Sequence, residues 1–311
     1  MISIAMTTYN GEKYLREQLD SILTQTYKNF ELIICDDCSK DKTRKILTEY
    51  EQKDNRIKIY FNEENLGFKK NFEKAISFCN GDYIALSDQD DIWTNNHLEI
   101  LLNLIGDYDI SCGNAILIDE KNHSLNLKLN ETDGLFYFQN ENLLYRLLVH
   151  TACFQGSSML INKRLFKKAL PIPQDVFYHD AWFSVCACLN KGINYTFEII
   201  NHYRQHNSQI TSHQKQSYFQ KIKDFFSRLI KKEKYFTDRF AYINAIKERF
   251  SLSIEQSKII EDCYKIQLMK SKKINFFSRL KILQIYSKYY KDIYTQKNNK
   301  YKFYRILKNL F

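Results

Sequence analysis

Short apolar runs alternate with helical periodicities through the first half of the chain. Residues 2–6, 30–35, 57–61 and 83–86 are brief, rich in Ile, Leu and aromatics, and bounded by polar turns, which predicts buried strands. Between them, Leu15, Leu19, Ile22 and Leu23 recur at helical spacing, as do Phe68, Phe72, Ala75, Ile76 and Cys79. Strands alternating with helices imply crossover units and an α/β fold: a mainly parallel sheet with helices on both faces. Ligands of such open sheets bind beyond the carboxyl ends of the strands, so the residues that follow each strand are the candidates for chemistry.

After Asp109 the pattern is less regular. Residues 110–118 and 158–161 predict strands, and 180–189 predict a helix stopped by Gly192. No glycine follows Gly192 and no proline follows Pro173; from about residue 217 the chain is rich in Lys, Ile, Phe and Tyr and reads as several helices. No window approaches the roughly 18 apolar residues of a membrane span. The opening segment lacks the charged and long apolar regions of a secretory signal, so the eight cysteines read as reduced thiols and the protein as cytoplasmic. A length of 311 residues predicts two domains, 1–212 and a basic helical 213–311.

Charge sharpens that boundary. The chain carries a net +10, yet from residue 213 onward 24 Lys and Arg stand against 8 Asp and Glu, while residues 1–212 hold 22 against 28. A basic tail on an acidic body suggests a polyanionic partner, a membrane surface or nucleic acid, with a solvated helical face as the plainer reading. The tail also holds 20 Phe and Tyr residues, which suit either association with the anionic inner membrane face or a homodimer that buries the rings.

The strand ends carry the chemistry. The first runs into Thr7-Thr8-Tyr9-Asn10-Gly11-Glu12, whose hydroxyls and amides suit a nucleotide at a helix start; Asn10 is equally readable as an ordinary helix cap. The second ends in Asp36-Asp37-Cys38-Ser39, carboxylates able to accept from a base and a ribose, or else a turn capped by Ser39 or Asp41. Cys35 and Cys38 lack the second cysteine pair of a structural zinc site. The fourth gives Ser87-Asp88-Gln89-Asp90-Asp91-Ile92-Trp93, three carboxylates that repel unless a cation or donors sit among them, which suits Mg²⁺ or Mn²⁺. Later come Tyr178-His179-Asp180-Ala181-Trp182 and His202-Tyr203-Arg204-Gln205-His206; Asp180 is either a general base or a helix cap.

Together these motifs, over residues 1–212, resemble the family 2 inverting glycosyltransferases of the GT-A fold, and the wording S-D-Q-D-D-I-W, H-D-x-W and Y-R-Q-H is most similar to the bacterial rhamnosyltransferase branch. Ala181 stands where such enzymes often have Arg. The resemblance implies a nucleotide-sugar site at Thr7, Thr8, Tyr9, Asn10, Glu12, Asp36, Asp37, Asn65, Lys70, Asp88, Gln89 and Arg204. It implies a metal, Mn²⁺ or Mg²⁺, at Asp88, Asp90 and His206, with Asp180 as catalytic base and Trp93, His179 and Trp182 at the acceptor. The expected reaction is a single displacement with inversion. The donor would be dTDP-L-rhamnose or a UDP-hexose, and the acceptor a bacterial surface glycan such as capsule, lipopolysaccharide or a lipid-linked polysaccharide. Two other readings compete. A sugar-phosphate nucleotidyltransferase normally opens with a glycine-rich loop unlike Thr7–Gly11, and a nucleic-acid binder would use the Lys-, Tyr- and Phe-rich tail, although no RRM-like or zinc-finger signature is present there.

Overall fold

A computed structural model of the protein describes residues 1–130, 140–150, 154–176, 178–206, 234–271 and 276–289. In chain order the elements are β1 (Ile2–Thr8), α1 (Leu15–Leu23), β2 (Phe30–Asp36), α2 (Thr43–Glu51), β3 (Ile57–Phe61), α3 (Phe68–Ser77), β4 (Tyr83–Ser87), β5 (Ile92–Trp93) and α4 (His97–Ile105). They continue with β6 (Ile110–Ile118), β7 (Ser124–Lys128), α5 (Asn140–His150), β8 (Met159–Asn162), α6 (Phe166–Ala169), α7 (His179–Cys188) and β9 (Ile193–Arg204). Three helices follow: α8 (Lys234–Arg249), α9 (Ile254–Ser271) and α10 (Phe276–Lys288).

One nine-stranded sheet runs β3-β2-β1-β4-β8-β6-β9-β5, with β7 paired to β6. The first half is parallel, as the strand–helix alternation requires: β1 pairs with β2 and β4, and β2 with β3. The second half is mixed, since β8 runs antiparallel to β4 and β6 while β9 runs parallel to β6. Every residue of β1 and β2 is buried, because helices cover both faces of the sheet there. Leu15, Leu19 and Ile22 of α1 lie in one core with Ile2, Ile4, Leu32 and Ile34, each fully enclosed. Burying each such side chain contributes about 1.5–3 kcal/mol. Sequence periodicity missed β7, whose residues are mostly exposed and polar, and β9, whose pairing with β6 shifts register twice.

The chain divides into two compact units. The first holds the sheet and comprises Met1–Gly134, Ala152–Ile172 and Tyr178–Ser212. The second takes in His213–Phe311 together with two earlier segments, Leu135–Thr151 and Pro173–Phe177, and within it α5 packs on α9. Within that unit Tyr145 stacks on Tyr289 with ring centroids 4.0 Å apart. Helices α8–α10 agree with the helical reading of the tail; residues 217–233 and 290–311 lie outside the described part. Among the described residues no helix is long and apolar enough to cross a membrane, and the seven described cysteines are free thiols.

Candidate active site

The ends of β1, β2 and β4 converge. Asp36 is completely enclosed and takes four donors, which fill its acceptor sites: Thr8 Oγ1 at 3.0 Å, Ser39 Oγ at 2.5 Å, Ser39 N at 3.1 Å and Arg44 Nε at 2.9 Å. Asp37 takes three, from Asn62 Nδ2 at 2.9 Å, Leu66 N at 2.7 Å and Gly67 N at 2.9 Å, so it holds the start of α3 and keeps room for one more donor. Gly67 sits at φ +78, a conformation that favours glycine. Asn65 bonds the Asp37 carbonyl at 3.1 Å, and Lys70 is exposed on the first turn of α3. Asp36 is therefore an anchor; Asp37, 3% exposed, is nearly as enclosed but keeps one acceptor position without a donor.

Asn10 does not cap α1, which starts at Leu15 behind Tyr14. It stands at φ +48 and ties two loops together: its amide donates to Ser39 Oγ at 2.9 Å and its side chain accepts from Lys40 N at 2.8 Å. Glu12 accepts from Lys42 N at 2.9 Å. The Gln89 carboxamide clasps the Tyr9 backbone from both sides, accepting from Tyr9 N at 2.8 Å and donating to Tyr9 O at 3.0 Å. Gly11 permits this approach, since a methyl group there would lie 2.2 Å from Gln89 Oε1. Tyr9 itself is 49% exposed, whereas Thr7 and Thr8 are buried.

The acidic loop after β4 divides its labour. Asp91 is buried and structural: its carboxylate accepts from Ser157 Oγ at 2.5 Å, Asn201 Nδ2 at 3.0 Å and Arg204 N at 3.2 Å. Burial, with Asp90 beside it, raises its pKa to about 7 against those donors. Asp90 accepts from His206 Nε2 at 2.9 Å. The Asp88 carbonyl accepts from Ser87 Oγ at 2.9 Å, but its carboxylate meets no donor among the described residues, and burial together with the charges of Asp90, Asp91 and Asp180 pushes the carboxyl well above the usual range. The same Asp180 charge, after burial, raises the Cys112 thiol. Asp180 thus stands within electrostatic reach of the acidic loop although 90 residues separate them in sequence.

Asp180 is the second residue of α7, behind Tyr178 at the cap position, and its Oδ1 accepts from Ala181 N at 2.7 Å. It is not the helix cap that the sequence left open. Its neighbours correct three expectations. Trp182 is fully buried, with Nε1 donating to Ala169 O at 2.7 Å, and Trp93 is 2% exposed in the main core, stacked on His97 at 3.9 Å. Neither ring faces an open surface in this structure. His179 is 8% exposed, stacked on Phe72 at 4.2 Å, and burial lowers its pKa to about 3, so it is a neutral packing residue. The family resemblance puts these side chains at the acceptor; in the fold, burial of their ring area prevails.

Arg204 is also corrected. Its side chain is fully enclosed, with Nε donating to Asp90 O at 2.8 Å, one terminal nitrogen to Glu17 Oε2 at 2.6 Å and the other to Asn122 Oδ1, while the guanidinium lies 4.4 Å from the Tyr14 ring centre. It braces the backbone of the acidic loop rather than facing an open cleft toward a diphosphate. Among the described residues no three His, Cys, Asp or Glu groups come together as a metal cage. The unpartnered Asp88 carboxylate beside Asp90 nevertheless fits a cation of the Mg²⁺ or Mn²⁺ type, which uses one or two carboxylates and completes its shell with substrate phosphates and water.

Residues 3–170 match the family described as Glycosyl transferase family 2. The chain is 31% identical over 244 residues to an uncharacterized glycosyltransferase of Rickettsia typhi, covering 75% of this chain and 74% of that protein. It is 36% identical over 126 residues to the Escherichia coli UDP-Glc:alpha-D-GlcNAc-diphosphoundecaprenol beta-1,3-glucosyltransferase WfgD, covering 38% of this chain and 49% of the relative. Among solved structures, Staphylococcus aureus TarS 1–349 in complex with UDP-GlcNAc superposes with a TM-score of 0.59 at 17% identity, over 94% of this chain and 81% of that one. The chain belongs to glycosyl transferase family 2 and has the GT-A fold. It is a glycosyltransferase, which separates it from the nucleotidyltransferase reading.

Proposed function

We propose that the protein transfers a hexosyl or deoxyhexosyl group from a pyrimidine nucleoside diphosphate sugar to a hydroxyl of a bacterial glycan, with inversion at the anomeric carbon. The observation that carries this reading is the placement of Asp180 beside the end of β4, where a methyl group on Gly156 would lie 3.5 Å from Asp180 Cβ and 3.8 Å from Leu86 Cδ1; the charge of Asp180 is among those that raise the Asp88 carboxyl. A UDP-hexose or dTDP-L-rhamnose would present its base and ribose to Asp37 and the Tyr9 backbone, between loops held by Asp36 and Gln89. The UDP-GlcNAc complex of the superposable TarS and the UDP-glucose named for the E. coli relative support a uridine donor. That relative's lipid-diphosphate acceptor supports a lipid-linked glycan here.

In this mechanism the Asp180 carboxylate takes the proton from the acceptor hydroxyl as its oxygen attacks the anomeric carbon. The bond to the diphosphate breaks on the opposite face and the nucleoside diphosphate leaves, so one base suffices and no covalent sugar–enzyme intermediate forms. Asp88 and Asp90 would hold a divalent cation, Mn²⁺ or Mg²⁺, whose charge stabilises the leaving diphosphate; His206 orients Asp90 through their hydrogen bond or joins it as a ligand. Asp180→Asn keeps the shape and removes the basic site, so transfer should fall by about two to four orders of magnitude with donor affinity unchanged. Near-normal turnover, or retained anomeric configuration in the product, would end this assignment.

The helical unit supports a place at a lipid surface. Ile254 and Phe277 are 93% and 74% exposed within a strongly basic region. Each Lys or Arg near an anionic bilayer contributes about 1 kcal/mol. Sedimentation with anionic vesicles should therefore be salt-sensitive; no binding at low salt would favour the homodimer.

A further inference from the structure

We propose that Tyr195 and Phe197, on an irregular stretch of β9, form the platform on which a pyranose ring of the acceptor stacks beside Asp180. The inference rests on Asp180 being the base, and it names residues that no sequence motif singled out.

The faces of the sheet fix the placement. Ser111 of β6 and Asn194 of β9 are register partners, and their side chains bond Leu101 O and Leu104 O of α4 at 2.7 and 2.8 Å. Their neighbours Cys112 and Tyr195, also partners, therefore point to the other face. A second path reaches the same place. Phe154 packs on Tyr195 with ring centroids 5.6 Å apart, and two residues later Gly156 lies against α7, where an added methyl group would be 3.5 Å from Asp180 Cβ. The segment leading into the helical turn Gly156–Ser158 thus touches the aromatic group at Phe154 and α7, beside the base, at Gly156.

The strand is built to present these rings. Between Cys112 and Asn114 only Gly113 intervenes on β6, but three residues, Thr196, Phe197 and Glu198, intervene on β9. The excess bows β9 outward and leaves Phe197 44% exposed, its ring edge-on to Tyr195 at 5.2 Å. Gly113 makes the return possible: a methyl group there would lie 2.4 Å from Ile200 Cδ1, so Ile200 tucks into the space and re-anchors the strand in the core. Bulges of this kind commonly re-aim a side chain next to an active site. An exposed phenyl ring beside a tyrosine, with polar strand atoms around it, suits the mixed surface of a sugar: ring C–H groups against the aromatic faces and hydroxyls to Tyr195 Oη and solvent. The platform adds no charge of its own, which fits an uncharged pyranose better than the anionic donor.

The test uses the full chain and methyl glycosides of glucose, galactose, N-acetylglucosamine and rhamnose as probes, observed by saturation-transfer NMR with saturating UDP and Mn²⁺. Wild-type protein should saturate ring protons of at least one probe, Phe197→Ala should abolish the signal, and Phe197→Trp should restore it. With a transferable acceptor, Phe197→Ala should raise acceptor KM by about fivefold or more, the size of a truncated aromatic anchor. Acceptor-free release of nucleoside diphosphate should stay unchanged. No saturation on the wild type, or equal saturation on Phe197→Ala, overturns the platform. Donor hydrolysis separates the two levels: a wild type that never releases nucleoside diphosphate sinks the proposed reaction, whereas intact transfer with an indifferent Phe197 sinks only this inference.

Discussion

Gly156→Ala asks how finely Asp180 is placed. The added methyl group meets Leu86 Cδ1 at 3.8 Å and Asp180 Cβ at 3.5 Å, both ordinary contacts, but His179 Nε2 at 3.2 Å, where the ring must yield by a few tenths of an ångström. The ring has little freedom to do so, being stacked on Phe72 at 4.2 Å with Phe183 edge-on at 6.1 Å. The misfit therefore passes into the first turn of α7, which carries Asp180. Overpacking costs about 1–3 kcal/mol, and so slight an overlap belongs at the lower end. Replacing glycine at a backbone conformation open to alanine returns about 0.4–1 kcal/mol by restricting the unfolded chain. Net stability should consequently change by less than about 1 kcal/mol, a shift in Tm of no more than a few degrees. Turnover should respond more, by about tenfold, since a misplacement near 1 Å can cost about a hundredfold. Urea unfolding, transfer kinetics and donor binding measured on one preparation distinguish the outcomes. Wild-type kcat in the variant, or a loss of donor affinity as large as the loss of turnover, would refute this account of Asp180 and its support.

The other expectations are simpler. Excess EDTA should abolish transfer and Mn²⁺ or Mg²⁺ restore it, and Asp90→Ala should weaken donor binding only when metal is present; full activity in the chelator refutes the cation site. Gln89→Leu removes both bonds to the Tyr9 backbone, so stability should fall by about 1–3 kcal/mol and donor KM should rise, as calorimetry and kinetics would register. His97 is wholly buried and donates from Nδ1 to Ile200 O at 2.9 Å; burial holds its pKa at about 3, below the unfolded value of about 6.5. The neutral form is the one the fold prefers, so its contribution is complete above pH 6.5 and declines by about 1.4 kcal/mol per pH unit as pH falls toward 3. Unfolding at pH 7 and pH 5 should show His97→Gln less acid-sensitive by about 2 kcal/mol, and identical pH dependence would contradict it.

Local pattern was sufficient for much of this protein. Strands β1–β4, β6 and β8 and helices α1, α3 and α7 are short segments whose apolar spacing states their type, because burial on one or two faces is a nearest-neighbour property of the chain. The acidic loop and Asp180 were legible too, since carboxylates after a buried strand stand out wherever they fold. Which carboxylate does what was not. Asp36, Asp37, Asp90 and Asp91 are alike in sequence, and only long-range donors from Arg44, Gly67, His206 and Asn201 separate anchors from candidate ligands. The resemblance assigns Trp93, Trp182, His179 and Arg204 to ligands, yet each side chain is enclosed in the fold. The bowed strand β9, the clasp of Gln89 on Tyr9 and the contact of Gly156 with α7 arise from register and close approach between distant segments, which no window of sequence contains; tertiary packing alone decides them.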